Sequence, residues 1–115
     1  MDNFKVYSID MNPFDDEGLA YIYFDLGNFE YFTLCKFTTD DNEQNDIYIE
    51  YTEETQSVYS NNISYILLDN GIEFAFDCFI ESSINLKSPI RLFYEITDDD
   101  FLKLKKCLNN IFVSQ

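Results

Sequence analysis

The chain of 115 residues contains no histidine, and its seven basic residues face 22 acidic ones. A Ser-His-Asp set and a histidine-activated cysteine are therefore excluded, because each needs an imidazole base. Nucleic-acid binding is not expected either, since its affinity comes chiefly from Lys and Arg that neutralise phosphates. The lack of histidine therefore argues against histidine-dependent catalysis, and the shortage of basic residues argues against nucleic-acid binding.

Glycine and proline are also scarce, with three and two residues, while 46% of the chain is hydrophobic. We therefore expect one folded domain over residues 1–115 and not a disordered chain. The unbroken apolar runs are only a few residues long, far short of the roughly 20 that a membrane span needs. The first five residues, MDNFK, carry an acid where a secretory signal has basic residues, so we expect a cytoplasmic protein.

The three cysteines, Cys35, Cys78 and Cys107, are widely spaced and form no Cys-x-x-Cys pair. This pattern predicts free, mostly buried thiols in a reducing compartment. We predict no cofactor.

Negative charge is what the sequence has in abundance, with a net charge of −15 at pH 7. Such a charge repels nucleic acid and anionic membranes and attracts a basic partner. Solubility alone is the alternative explanation. The densest segment is DDNEQNDIYIEYTEE, residues 40 to 54, and it contains seven carboxylates: Asp40, Asp41, Glu43, Asp46, Glu50, Glu53 and Glu54.

A calcium loop is the first interpretation of this segment. Four oxygen-bearing residues occupy positions 1, 3, 5 and 7 of a would-be EF-hand: Asp40, Asn42, Gln44 and Asp46. Position 6 is Asn45 instead of glycine, position 12 is Tyr51 instead of glutamate, and a strand follows where a helix should. We therefore predict no metal site.

A catalytic pair of carboxylates is the second interpretation. It would need two acids about 5 to 10 Å apart, one with its pKa raised by burial. Nothing singles out such a pair, because exposed strand faces account for Glu50, Glu73, Asp77 and Glu95. We therefore expect that the protein is not an enzyme.

Period-2 alternation of apolar residues dominates the chain and predicts strands separated by turn signals. The predicted strands are Phe4 to Ile9, Leu19 to Asp25, Glu30 to Phe37, Ile47 to Thr52, Ile63 to Leu68, Ile72 to Phe79 and Ile90 to Ile96. Asp69-Asn70-Gly71 between two apolar runs predicts an antiparallel hairpin. Glu30 to Phe37, apolar on both faces, is expected to be a central strand covered on both sides.

The last segment changes to a helical period. Thr97 followed by Asp98-Asp99-Asp100 and an apolar stripe from Phe101 to Phe112 predicts a capped C-terminal helix. Later lysines are expected to suit its C-terminal end. The fold class is therefore α+β, mainly β: an antiparallel curved sheet or half-barrel of about seven strands with one C-terminal helix packed on it.

A surface for a positive partner is the third interpretation of the acidic segment. Acids on an exposed β face, interleaved with Tyr48, Tyr51, Tyr59 and Tyr65, would combine charge with good interface anchors. Ordinary strand filling is the alternative for these tyrosines. The predicted partner-binding residues are Asp40, Asp41, Glu43, Asp46, Tyr48, Glu50, Tyr51, Glu53 and Glu54.

Several segments together resemble bacterial immunity proteins of the immunity protein 10 family. They are Tyr48-Ile49-Glu50, the polar stretch with Gln56 and Ser57, the strand ending in Leu68, the apolar strand 72 to 79, and the finish from Asp98-Asp99-Asp100-Phe101 to Ile111-Phe112. One departure is that Gln56 follows Thr55 where the family has an acid before the glutamine.

The resemblance covers about residues 19 to 112 and implies a single immunity-protein-like domain. Such proteins are encoded beside polymorphic or contact-dependent toxins, and each binds and neutralises its cognate toxin. Together with the charge, it predicts an inhibitor whose acidic surface blocks the substrate site of a basic toxin, with a nuclease favoured. A nucleic-acid mimic that inhibits a host DNA- or RNA-binding protein and an acidic scaffold module stay open. The sequence leaves monomer or dimer undecided, and Glu50 could be structural or lie at the interface.

Overall fold

The fold combines two β-sheets with two helices. The computed structural model describes residues 2–37 and 46–112, and within these ranges the chain forms nine strands and two helices. The larger sheet has five antiparallel strands in chain order: β2 (Ser8–Asn12), β3 (Leu19–Gly27), β4 (Glu30–Phe37), β5 (Ile47–Tyr51) and β6 (Glu53–Ser60). β4 is the central strand of this sheet, as predicted. The expected cover on both sides was wrong, because Thr33 and Cys35 are only half-buried on the side opposite the core.

The smaller sheet has four strands in the order β1, β9, β8, β7: β1 (Asp2–Lys5), β7 (Ile63–Leu68), β8 (Gly71–Phe76) and β9 (Ile90–Phe93). β1 and β9 are parallel, and the other pairs are antiparallel. Leu68 pairs with Gly71, which confirms the predicted hairpin at Asp69-Asn70-Gly71. On the β8–β9 pair, Arg91 Nε lies 2.8 Å from Glu73 Oε1.

The chain crosses from one sheet to the other between β1 and β2. The amide of Val6 donates to Phe93 O at 2.8 Å in the smaller sheet, and the amide of Tyr7 donates to Asp25 O at 2.8 Å in the larger one. The predicted strand Phe4 to Ile9 is therefore two strands in different sheets.

The core lies on one side of the larger sheet, where both helices and the smaller sheet pack. Phe74 of β8 is fully buried, and its ring centroid lies 6.1 Å from Phe24, 5.3 Å from Phe32 and 6.4 Å from Phe112. The helix α2 (Asp98–Ile111) packs on β2, β3 and β4, and the helix α1 (Cys78–Ile84) packs on β5 and β6. Neither helix of the described residues is long and apolar enough to cross a membrane.

The predicted C-terminal helix is confirmed, with Thr97 as its N-cap. Thr97 Oγ1 accepts from the amide of Asp100 at 3.1 Å, and Leu104, Leu108 and Ile111 are buried. Three aspartates occupy the first turn, where the positive end of the helix dipole favours them. The last turn carries no basic residue, so the expectation of lysines at that end was wrong.

The α+β, mainly β class is confirmed, but the single sheet of about seven strands is not matched. The described residues form two sheets that do not close into a barrel. Two further elements were not predicted, β6 and α1. Asp77, expected on an exposed strand face, instead caps α1, where its Oδ1 accepts from the amide of Ile80 at 3.0 Å.

Candidate partner-binding face

Alternation along the central strands of the larger sheet separates two sets of side chains. One set points into the core and is buried: Ala20, Ile22, Phe24, Leu26, Phe32, Leu34, Ile47 and Ile49. The residues between them point to the opposite side, where they are half-buried or exposed. We call this side the tyrosine face and define it by Asp10, Tyr21, Tyr23, Tyr31, Thr33, Cys35, Tyr48, Glu50, Ser57 and Tyr59.

Strand register arranges the tyrosine face, apart from Tyr31, in two adjacent rows across the five strands. The first row is Asp10, Tyr23, Thr33, Glu50 and Ser57. The second row is Tyr21, Cys35, Tyr48 and Tyr59, and Asn12, which pairs with Tyr21, continues it on β2. Directly opposed side chains on neighbouring strands stand about 5 Å apart, so each row is a continuous surface of contacting groups.

Glu50 lies at the centre of this face and is held by two tyrosines. Its Oε2 accepts the hydroxyl of Tyr31, and its Oε1 accepts the hydroxyl of Tyr48. Burial raises the pKa of Tyr31 and of Tyr48, and the hydrogen bond and charge of Glu50 raise both further, because a phenolate beside a carboxylate is repelled. Both phenols therefore stay protonated at neutral pH and act as donors.

The tyrosines also pack on one another. The rings of Tyr23 and Tyr31 are stacked with centroids 5.0 Å apart, and those of Tyr48 and Tyr59 lie 5.0 Å apart at a tilt of 55°. Tyr59 is nevertheless 65% exposed and Tyr23 38% exposed. The face therefore offers aromatic area whose rings are already packed on one another, which lowers the entropy cost of binding.

A cavity of about 300 Å³ opens beside Tyr48 and Tyr59 at the Phe37 end of β4. Its lining residues are Leu19, Cys35, Lys36, Phe37, Asp46, Tyr48 and Tyr59. Asp46 Oδ1 accepts from Asn61 Nδ2 at 2.8 Å. Burial, aided by the charge of Glu50, raises the pKa of the Cys35 thiol to about 11, so Cys35 is not a reactive thiolate.

The charged residues of the tyrosine face are all acidic. All seven basic residues lie at other positions: Lys5, Lys36, Lys87, Arg91, Lys103, Lys105 and Lys106. Lys36, the one on a central strand, alternates with Cys35 and points inward, with 5% of its surface exposed. A cationic partner would therefore meet carboxylates and phenols on this face and no basic residue among its members.

The structure brings together only some of the predicted partner-binding residues. Tyr48 and Glu50 share the tyrosine face, and Asp46 lies at its edge. Glu53 and Glu54 are exposed at the start of β6. Asp40, Asp41 and Glu43 lie outside the described residues, so their part in binding stays a prediction.

Tyr51 is not on the same side as Tyr48. Its ring lies 6.2 Å from that of Phe4, and its hydroxyl donates to Glu30 Oε1 at 3.1 Å. Burial, followed by that hydrogen bond, raises its pKa. Tyr65, considered with it as an anchor, packs 4.8 Å from Phe112, so both tyrosines complete the core.

Three tyrosines of the tyrosine face were missed by sequence reasoning: Tyr21, Tyr23 and Tyr31. The signal was present, because Tyr21 and Tyr23 alternate with the buried Ala20, Ile22 and Phe24. Apolar residues on both sides of these strands hid which set points outward.

The structure also places the possible metal ligands, the cysteines and Gln56. Among residues 2–37 and 46–112, no group of three or more His, Cys, Asp or Glu side chains could hold a metal ion. The three thiols are free; Cys107 is buried, but Cys78 at the start of α1 is exposed, contrary to the expectation of mostly buried cysteines. Gln56, part of the resemblance, donates through Nε2 to Tyr51 O at 2.7 Å, a contact that holds the β5–β6 turn.

Comparison of the chain with known protein families, with curated proteins and with solved structures gives no match in any of the three.

Proposed function

We propose that this protein is an immunity protein of the immunity protein 10 type, which acts in the cytoplasm by binding a cognate bacterial toxin. The toxin is a basic protein, with a nuclease favoured by the charge. The immunity protein covers its substrate site, and no covalent bond is made or broken. The observation that carries the proposal is the tyrosine face, which combines aromatic anchors with carboxylates and includes none of the seven basic residues.

Two physical effects support this function. The acidic surface and the net charge of −15 attract a cationic partner, and such steering raises association rates by about 10- to 1000-fold at low salt. The tyrosines then supply contact area at low entropy cost. A nuclease binds phosphates with basic side chains, so its substrate site is the part of its surface that fits carboxylates best.

In this proposal, Glu50 accepts a hydrogen bond from a basic side chain of the toxin. Two phenol donors fix its carboxylate in the middle of the tyrosine face. A carboxylate has about four lone-pair positions, so two donors leave room for a basic side chain of the toxin. The structural role and the binding role of Glu50 are therefore compatible.

Co-expression tests the function directly. The protein encoded by the adjacent gene is produced in a bacterial host with and without this chain. We expect that it is toxic alone and that this chain restores growth. A harmless neighbour, or killing that continues despite co-expression, would count against immunity.

A competition assay with DNA separates this function from that of a nucleic-acid mimic, which would also rely on an acidic surface. A mimic would compete with DNA for several unrelated basic proteins, whereas an immunity protein would bind only its cognate toxin. Purified DNA-binding proteins of unrelated fold are the appropriate comparison.

A further inference from the structure

The turn between β3 and β4 places a phenylalanine at an unusual position. Gly27 pairs with Glu30, and the two residues between them, Asn28 and Phe29, have φ of 54° and 65°. Positive φ at both central residues is the pattern of type I′ hairpin turns, in which asparagine followed by glycine is strongly preferred. Phenylalanine therefore occupies a position that favours glycine, and its Cβ makes this backbone conformation strained.

The side chain of Phe29 gains nothing from the fold in return. It is 99% exposed, the highest value among the exposed large hydrophobic residues. A bulky residue held in a strained conformation, with its ring entirely in water, lowers both stability and solubility. Strain of this kind indicates that Phe29 serves an interaction with another molecule.

Carboxylates lie at the same end of the sheet as this turn. Thr52 N donates to Tyr31 O at 3.0 Å, so the β5–β6 turn lies beside the β3–β4 hairpin. This brings the exposed Glu53 and Glu54 to the same end of the sheet, where Glu54 is close enough to contribute to the raised pKa of Tyr31. Lys5 is also near, over the ring of Tyr7 that packs against Gly27, but the acids outnumber it.

We infer that Phe29 is an apolar anchor that inserts into a pocket on the surface of a cationic protein partner, with Glu53 and Glu54 facing basic residues at the rim of that pocket. The inference rests on the proposed function and adds the location of one binding hot spot. Anchors of this type are aromatic, are desolvated on binding and are surrounded by polar contacts. The net charge of −15 makes insertion into an anionic membrane unfavourable.

The test is Phe29→Gly, which creates the preferred Asn-Gly turn and so removes the ring without damaging the hairpin. We expect its midpoint of thermal unfolding to stay the same or rise. Its complex with the protein encoded by the adjacent gene should dissociate at least about tenfold faster, with an association rate within about twofold of wild type, because anchors act mainly on dissociation. Phe29→Leu should show an intermediate dissociation rate.

Phe14→Ala is the matched control. Phe14 is 59% exposed and lies in the β2–β3 connection, at the opposite end of β3, so its truncation should leave both rates unchanged. If wild type and Phe29→Gly dissociate equally fast, the anchor is refuted while the proposed function stands. If wild type does not bind the neighbouring protein, the proposed function fails and the anchor falls with it. A concentration-dependent dimer of wild type that Phe29→Gly abolishes would assign the ring to a second copy and also overturn the inference.

Discussion

At the scale of residues, the hydrogen bonds of Glu50 couple the tyrosine face to pH. Its two phenol donors, Tyr31 and Tyr48, have pKa values raised by burial and by Glu50 itself. Burial also raises the pKa of Cys35 to about 11. All three groups therefore keep their protons in the folded protein at a pH where the unfolded chain loses them.

This arrangement predicts that stability falls at alkaline pH. Below the unfolded pKa values, about 8.5 for cysteine and 10 for tyrosine, both states hold the proton and the contribution is complete. Above them the unfolded state binds fewer protons, so the free energy of unfolding decreases as pH rises toward the folded pKa values. Urea unfolding at increasing pH would measure this. Glu50→Gln should make the loss smaller, and a free energy that stays constant through about pH 11 would contradict the assignment.

Glu50→Gln also tests the role of this residue in binding. The amide keeps an acceptor for one phenol but removes the negative charge. We therefore expect a small change in stability and about tenfold weaker binding to the proposed toxin, a value typical of one charged interface contact. Glu95→Gln, an exposed acid outside the tyrosine face, is the control. Equal affinities of the two variants would make Glu50 purely structural. Calorimetric titration of Glu50→Gln and Glu95→Gln against the protein encoded by the adjacent gene measures the two affinities.

At the scale of elements, the N-cap of α2 is the clearest local determinant. Thr97 Oγ1 accepts from Asp100 N at 3.1 Å, which satisfies one of the free amides of the first turn. Thr97→Ala should lower the free energy of unfolding by about 1 kcal/mol. The exposed Thr55 of β6 provides the control, since Thr55→Ala removes no cap. Chemical denaturation of both variants gives the comparison, and equal values would argue against a stabilising cap.

How well each element could be predicted depends on how local its causes are. The β7–β8 hairpin and the start of α2 were predicted because Asp69-Asn70-Gly71 and Thr97 specify them within a few residues. β6, with the sequence EETQSVYS, was missed because it is polar and lies at the sheet edge. α1 was missed because Phe79 and Ile80 continue the apolar run of β8, and seven residues are too few to reveal a helical period.

The tyrosine face depends on tertiary structure, and its position could not be predicted. Tyr21 and Ile22 are both compatible with either side of a strand, so alternation shows two sets without showing which one is buried. Which set is buried is determined by Phe74 and α2, because these distant parts of the sequence cover only one side of the larger sheet. Glu50 was identified from the sequence, whereas Tyr31, its hydrogen-bond partner, was not.

At the scale of the whole molecule, Phe74 joins the two sheets and α2. Its ring is fully buried against Phe24, Phe32 and Phe112. Phe74→Ala should therefore destabilise the protein by about 3 to 5 kcal/mol. Phe79→Ala, at a position that is 61% exposed, should change stability by less than about 0.5 kcal/mol. Similar losses in both variants, measured by urea unfolding, would contradict the packing.

The most direct test of the central claim, that the tyrosine face attracts a cationic toxin, is the association rate measured against ionic strength. Asp10→Lys with Asp46→Lys reverses two acids on or beside this face. Asp69→Lys with Glu95→Lys makes the same change in net charge at exposed positions outside it. We expect the first pair to slow association about tenfold at low salt and to flatten its salt dependence, and the second pair to change it by less than about twofold. Equal slowing by both pairs would show that only total charge matters and would contradict a docking site on the tyrosine face.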